Sequence, residues 1–424
     1  MGQTLAVQRL HHWFLKGGTA ILDQGIFSST NFILNLLLAR WLDTSSYGVF
    51  AVAFAIYLFF TGFHNAMILE PISVLGPAKY KLDLPGYLYS QYRIHFLITL
   101  PLGCLMAIFG WLVSSFSNRV LGDALITIGI VLPILLLIWL SRRISYLLER
   151  PGDALLASTV YMVALLSGMF VLHRIGYEML PLWYLLMGLA SLLGVLTSQR
   201  AIYRQRSISD LRELIREQWR FGRWVVLATL FYFLGSQVQI FVIASILGFD
   251  SAGAFRALQN LTLPVLQVFA AISTLIFPSI TTEFGQAGYA TMQRRALQVT
   301  AILVVIAVTY EIVLVLGKDS FDLVLYGGKY AAYTSLIPLI GLVPLLNAFV
   351  SGFSLILRSL QKPVFYLVDK VLAAAVGCLS AIVLIQLWNF IGAVLSLLLL
   401  EIATLALYWF LYNKWFRDLK ARGS

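Results

Sequence analysis

GGTAILDQGIFSSTNFILNLLLA, residues 17–39, is a mostly apolar run closed by Arg40 and Asp43. A helix needs roughly 20 such residues to cross a bilayer. Stretches of the same kind follow one another along nearly the whole chain, separated by short loops. The 424 residues are 60% hydrophobic and only 12% charged, with a mean hydropathy of +0.86. Soluble domains carry about 25% charged residues. The composition therefore makes lipid the solvent, and in lipid a helix satisfies its own backbone polar groups. The expected fold class is an all-α, polytopic integral membrane protein.

Twelve spans are read from the pattern: 17–39, 47–69, 91–116, 124–140, 154–172, 179–196, 224–247, 252–277, 296–316, 332–353, 364–387 and 390–410. The fourth extends to Tyr146 if Arg142 and Arg143 are tolerated. An even number returns both termini to one side. With the N-terminus inside, the inner segments hold 23 Lys and Arg and the outer ones 6. Basic residues collect on the cytoplasmic side, so both termini are expected there. The same rule accounts for the net charge of +11 without nucleic acid. Arg9 and Lys16 precede a first span too long and too polar for a cleaved signal, which is taken as a retained helix. Cys104 and Cys378 fall in separate apolar spans and read as buried thiols.

An internal repeat is visible at an offset of 205 residues. ARWLDTSSYGVFA, 39–51, aligns with ASILGFDSAGAFR, 244–256. Ala39 matches Ala244, Leu42 Leu247, Ser46 Ser251, Gly48 Gly253 and Phe50 Phe255. Pro71 and Pro278 are read as ending the second helix of each set. Two six-helix lobes follow, at 1–197 and 223–424, related as a parallel repeat of the kind transporters use. Residues 198–222 form a basic linker. Within it Leu211, Leu214, Ile215 and Trp219 share a helical face flanked by Arg212, Arg216 and Arg220, the pattern of an interfacial helix.

Polar groups in hydrocarbon are costly unless they face protein or water. In the first span Gln24, Ser28, Asn31 and Asn35 stand at i, i+4, i+7 and i+11, within about 60° of arc. Tyr57, Thr61, His64 and Asn65 share a face of the second. Arg256, Gln259, Asn260 and Gln267 do so in the eighth, and Asn347, Ser351, Ser354 and Arg358 in the tenth. Each stripe alone could be interhelical glue; together they predict a central hydrophilic cavity. Arg40 and Arg256 add positive charge toward the outer side. Arg40 is read as snorkelling, and Arg256 as facing the cavity, where a diphosphate would suit its planar fork. Asp23, Glu311 and Glu401 are candidate ion-coupling residues, while Asp369 and Lys370 are read as a local pair. The five histidines make no HExxH spacing and there is no GxxxxGK[ST], so no metal or cofactor is implied. With no extramembrane segment large enough for a catalytic domain, the expectation is a transporter and not an enzyme.

NFILNLLLARWLDTSSYGVFAVA (31–53), GSQVQIFVIASILGFDSAGAFRALQN (235–260) and LVLYGGKYAAYTSLIPLI (323–340) resemble the polysaccharide-export branch of the multidrug/oligosaccharidyl-lipid/polysaccharide exporter superfamily. Leu325 to Tyr330 resembles that branch's outer loop after the ninth helix. The match in helix count and order covers nearly the whole chain, although many members have 14 helices. The resemblance implies a MATE-like V of two lobes around a cavity of alternating access, in the inner membrane of a bacterium. It implies a polyprenyl-diphosphate-linked repeat unit for O-antigen or exopolysaccharide as substrate. Membrane lipids, a glycan polymerase and chain-length machinery are the implied partners. A drug/cation antiporter of the same superfamily and a peptidoglycan-precursor flippase are alternatives. A membrane glycan polymerase is disfavoured by the short outer loops.

Overall fold

The computed structural model describes the backbone of residues 2–198, 210–273, 276, 289–359 and 363–422. It describes the side chains of 17–198, 210–273, 276, 293–355 and 367–414. Every regular element among them is helical. In order these are α1 (Gly2–Trp41), α2 (Thr44–His64), a π-turn (Asn65–Leu69), α3 (Glu70–Lys79), α4 (Leu84–Phe116) and α5 (Arg119–Leu147). Then come α6 (Pro151–Arg174), α7 (Leu180–Ser198), α8 (Leu211–Ile246) and α9 (Phe249–Asn260). A short α10 (Leu263–Ser273) follows α9 at a bend of 45°. The chain closes with α11 (Tyr289–Phe321), α12 (Ile337–Ser359) and α13 (Pro363–Arg422).

Among the described residues nine helices are long and apolar enough to cross a membrane, or ten with the bent α9–α10 pair. Two features separate ten from the twelve spans read in the sequence. First, α13 is broken at Trp388 and Asn389, whose backbone leaves the helical region. A Cβ on Gly392 would lie 1.9 Å from the Leu384 carbonyl oxygen, so the chain turns back tightly there. Second, α1, read as the first span, carries a polar stripe and is not among these helices. The eighth span, read as one run over 252–277, is the bent α9–α10 pair. The helix after α2 also does not stop at Pro71. The π-turn intervenes, and α3 restarts with Pro71 in its first turn, where a missing N–H costs nothing. Pro278 lies outside the described residues.

Several helix starts are set by side chains that satisfy free backbone N–H groups. Asp83 accepts from the Gly86 N–H at 3.1 Å and Asn118 from that of Leu121 at 2.8 Å. Asp210 accepts from Arg212 and Glu213 at 3.1 Å each. The segment from Leu211 is thus the first turns of the long α8, with no break before the membrane-length part. Leu214 there is buried and Trp219 exposed; residues 199–209 of the linker lie outside the described set.

The chain divides into two compact units. One holds 1–35 and 53–229, the other 36–52 and 230–424. In the first, α4 and α5 make the closest pairing. A Cβ on Gly103 would fall 2.4 Å from the Gly129 carbonyl oxygen, and one on Gly129 2.6 Å from that of Gly103. Small residues that let backbones touch are how helices associate where lipid removes the hydrophobic driving force. In the second unit Val265, Phe269, Leu303 and Ala348 join a core across α10, α11 and α12.

Candidate functional site

In the first unit the polar residues of α1 meet α5 and α6. Asp23 is fully buried. The Arg142 guanidinium donates to it from Nη2 at 2.8 Å and from Nε at 3.2 Å. The Tyr146 and Ser158 hydroxyls donate to the same carboxylate. Arg142 also donates to Gln24 at 3.2 Å and lies 4.0 Å from the centre of the Phe27 ring. Arg142 was read as an inner loop charge; only 5% of its side chain is exposed. A buried guanidinium is tolerated here because a carboxylate balances its charge and its donors are used. Arg142, Tyr146 and Ser158 complete the buried cluster around Asp23 and were not singled out as site residues in the sequence. The one available signal was that Arg142 falls inside a helix if the fourth span is extended.

Other polar groups of α1 and α2 turn to their own helix. Asn31 Nδ2 donates to the Phe27 carbonyl at 3.1 Å, Asn35 to that of Asn31 at 2.9 Å, and Thr61 to that of Tyr57 at 3.0 Å. Asn35 is buried, Ser28, Asn31 and Thr61 half-buried, and Gln24 exposed. Asn65 donates to Glu70 at 3.4 Å. His64 is buried against His95 of α4, Nε2 to Nδ1 at 2.9 Å.

In the second unit the repeat segments pack on each other. A Cβ on Gly48 would clash with the Phe249 carbonyl and one on Gly253 with the Thr44 carbonyl, and Gly48 and Gly253 themselves adjoin. Thr44 donates to Asp250. Behind this crossing Asn260, fully buried, donates to the Tyr47 hydroxyl at 2.8 Å. Arg256 also engages Tyr47, and Tyr326 donates to the Ala257 carbonyl at 2.8 Å. Gln259 is half-buried and Gln267 exposed. Arg40 donates to the Val324 carbonyl. Lys329 donates to the carbonyls of Arg40 and, at 2.6 Å, of Leu42. The loop motif Leu325–Tyr330 thereby caps the C-terminal end of α1.

Asn347 and Glu401 approach at 3.5 Å, with Ser351 bonded to Asn347 at 3.3 Å. Glu311 packs on Gly341, and its buried Oε2 has no hydrogen-bond partner among the described residues. Asp369 pairs with Lys370 at 2.8 Å, as the adjacent positions suggested. The side chain of Arg358 lies outside the described residues. Both cysteines are free thiols; Cys104, read as buried, is exposed, as an apolar-facing side chain on a membrane helix can be.

The family profile described as polysaccharide biosynthesis protein matches residues 15–283. No curated relative matches the chain significantly. Among solved structures the fold is similar to an inward-facing multidrug resistance MATE family transporter of the MOP superfamily. There the TM-score is 0.81 at 11% identity, covering 96% of this chain and 100% of that one. It is similar to lipid II flippase MurJ at TM-score 0.74 and 13% identity, over 93% and 87% of the two chains. A MOP superfamily transporter from Pyrococcus furiosus matches at TM-score 0.60 and 12% identity, over 96% and 95%.

Proposed function

Because the chain belongs to the polysaccharide biosynthesis protein family, and folds as MOP-superfamily transporters do, we propose that it flips a lipid-linked oligosaccharide across the membrane by alternating access. The family match over 15–283 is the observation that carries this reading. The substrate is a repeat unit on a polyprenyl diphosphate, destined for O-antigen or exopolysaccharide. Its glycan crosses along amide and hydroxyl side chains while the polyprenyl tail stays in lipid. Each sugar hydroxyl leaving water needs a partner, and Gln24, Ser28, Asn31, Asn65, Gln259, Gln267, Asn347 and Ser351 are of the right chemistry. Arg256 meets the diphosphate. The chain sits in a bacterial inner membrane with both termini cytoplasmic, and Glu311 and Glu401 join Asp23 as ion-coupling candidates.

The test is a flipping assay in proteoliposomes with a fluorescent polyprenyl-diphosphate-linked trisaccharide. Arg256→Ala removes a charge-assisted bond worth about 1.5–3 kcal/mol, so transport falls by about tenfold or more. Arg40→Ala, whose guanidinium bonds a backbone carbonyl, changes it little. Equal rates for wild type and Arg256→Ala would remove the diphosphate role. Export of a cationic drug with no flipping would turn the reading to the antiporter class.

A further inference from the structure

We propose that His64 and His95 form a proton-binding dyad, loaded at Nδ1 of His64, that couples a proton to the conformational cycle. The inference deepens the transporter reading and rests on it for the word coupling, but the proton site stands on geometry alone. Both rings are buried, His64 at 1% and His95 at 0% exposure. Their ring planes stand at 90° with centroids 5.0 Å apart.

Proton positions follow from what each partner can do. The Pro133 carbonyl, 2.9 Å from His95 Nε2, can only accept, so that nitrogen carries a hydrogen. In a neutral ring His95 Nδ1 is then a lone pair. It accepts from His64 Nε2, which makes His64 the Nε2–H tautomer. Nδ1 of His64 is left as a lone pair, buried and without a hydrogen-bond partner among the described residues. Two neutral rings satisfy both of these hydrogen bonds, and one basic nitrogen is spare. Adding a proton there breaks nothing. The lone pair forms an N–H bond with a proton from hydronium, a water is released, and the dyad gains one positive charge. The existing bond between the rings becomes charge-assisted and stronger.

The surroundings make that charge consequential. Among the described residues, the titratable group whose field reaches His64 is His95. On α2, Tyr57 takes the Trp139 indole N–H. On α3, Glu70 is engaged by Asn65. On α4, Arg93 is exposed. On α5, Arg142 belongs to Asp23 and Arg143 donates to Ser73 at 3.1 Å. On α8, Arg220 and Arg223 are exposed. A proton on Nδ1 therefore converts a spare acceptor into a donor with nothing to bond. The residue that follows is the first of the π-turn, Asn65–Leu69, a helix irregularity frequent at functional sites. Loading favours a packing in which that turn rearranges and Nδ1–H finds water or a carbonyl. The neutral dyad favours the packing seen here.

The experiment uses the full chain in lipid nanodiscs with ring-15N histidine. His64→Gln identifies the His64 signals, because its amide still donates to His95 but carries no titratable nitrogen. At about pH 8 the wild type should show His64 with a bare Nδ1 and a protonated Nε2; stepwise acidification over the range in which the protein stays folded should convert it to imidazolium. His173→Gln, on the far end of α6, should leave that transition unchanged. A His64 ring that stays neutral throughout, or one that shows the Nδ1–H tautomer at the upper end, overturns the proposal. If His64→Gln does not accumulate, the wild-type spectrum decides. In proteoliposomes with the fluorescent polyprenyl-diphosphate-linked trisaccharide, an imposed pH gradient should accelerate the wild type. That response should be lost in His64→Gln, and a response retained in full overturns the coupling. A wild type that binds the proton but never moves the trisaccharide refutes the substrate reading and leaves the proton site standing.

Discussion

Asp23 and Arg142 show what a single pair of residues costs and fixes inside a membrane protein. Both are buried, and the carboxylate takes two guanidinium nitrogens and two hydroxyls. Removing one partner leaves the other charge without compensation, at a cost of about 3–5 kcal/mol. Asp23→Ala should therefore lower the thermal unfolding midpoint of the purified protein sharply. Asp23→Leu combined with Arg142→Met should recover most of it, because an apolar pair of similar volume needs no compensation. An Asp23→Ala protein as stable as wild type would show that the pair does not hold this unit together. The sequence reading put Asp23 inside a span as an ion-coupling candidate, and missed its partner. Position 142 lies 119 residues away, and an arginine near a helix end looks like one more inner-loop charge. The stripe itself was legible from spacing alone. Its chemistry was less so, because a short amide can bond the carbonyl one turn back. Asn31 and Asn35 do this, as Thr61 of α2 does with its hydroxyl, and part of each stripe thereby satisfies itself.

Between elements, the repeat read at an offset of 205 becomes a physical contact. Gly48 meets the Phe249 carbonyl and Gly253 the Thr44 carbonyl. Phe249 is the repeat equivalent of Thr44, so the two contacts exchange under a local two-fold. Neither position has room for a Cβ. Gly48→Ala and Gly253→Ala should each destabilise by about 1–3 kcal/mol. The two should cost about the same, and the double variant less than their sum, because opening the crossing once relieves both. Strict additivity in thermal unfolding would refute the reciprocal crossing. Lys329 works on a different principle: an ammonium on the last carbonyls of α1 completes free acceptors and meets the negative end of the helix dipole. Lys329→Met should cost about 0.3–2 kcal/mol, read in the same assay, and no change would remove the cap. Helix positions were legible because apolar length is a strong signal. The π-turn after His64 was not, since it leaves no mark in composition; the bend between α9 and α10 had a signal that was passed over, Pro264 just beyond it, which removes a helical N–H. The break at Asn389 was legible, as a polar position between two spans.

For the whole molecule, orientation rests on the excess of Lys and Arg in the inner segments, 23 against 6. Arg142 has to leave that count, being buried in an ion pair, and the asymmetry survives its loss. The structure adds constraints that charge counting lacks. Lys329 reaches the Leu42 carbonyl, so positions 43 and 329 share one side of the membrane. Lys79 pairs with Glu217, and the Tyr80 hydroxyl donates to the same carboxylate at 2.9 Å, so the α3–α4 turn and the start of α8 share a side. Burial raises the energy of the Glu217 carboxylate, but the Lys79 and Tyr80 donors outweigh it and hold the acid in its charged form. Reporter fusions should therefore read cytoplasmic at Lys81, at Arg206 and after the C-terminus, and external at Asp43, Arg119 and Lys329. The possible failures separate cleanly. If every fusion reads inverted, the charge rule has misjudged this chain while the fold stands. If Asp43 and Lys329 report opposite sides, or Lys81 and Arg206 do, the packing of α1 on the Leu325–Tyr330 loop or of α3 on α8 is wrong, and the helix order built on them falls with it.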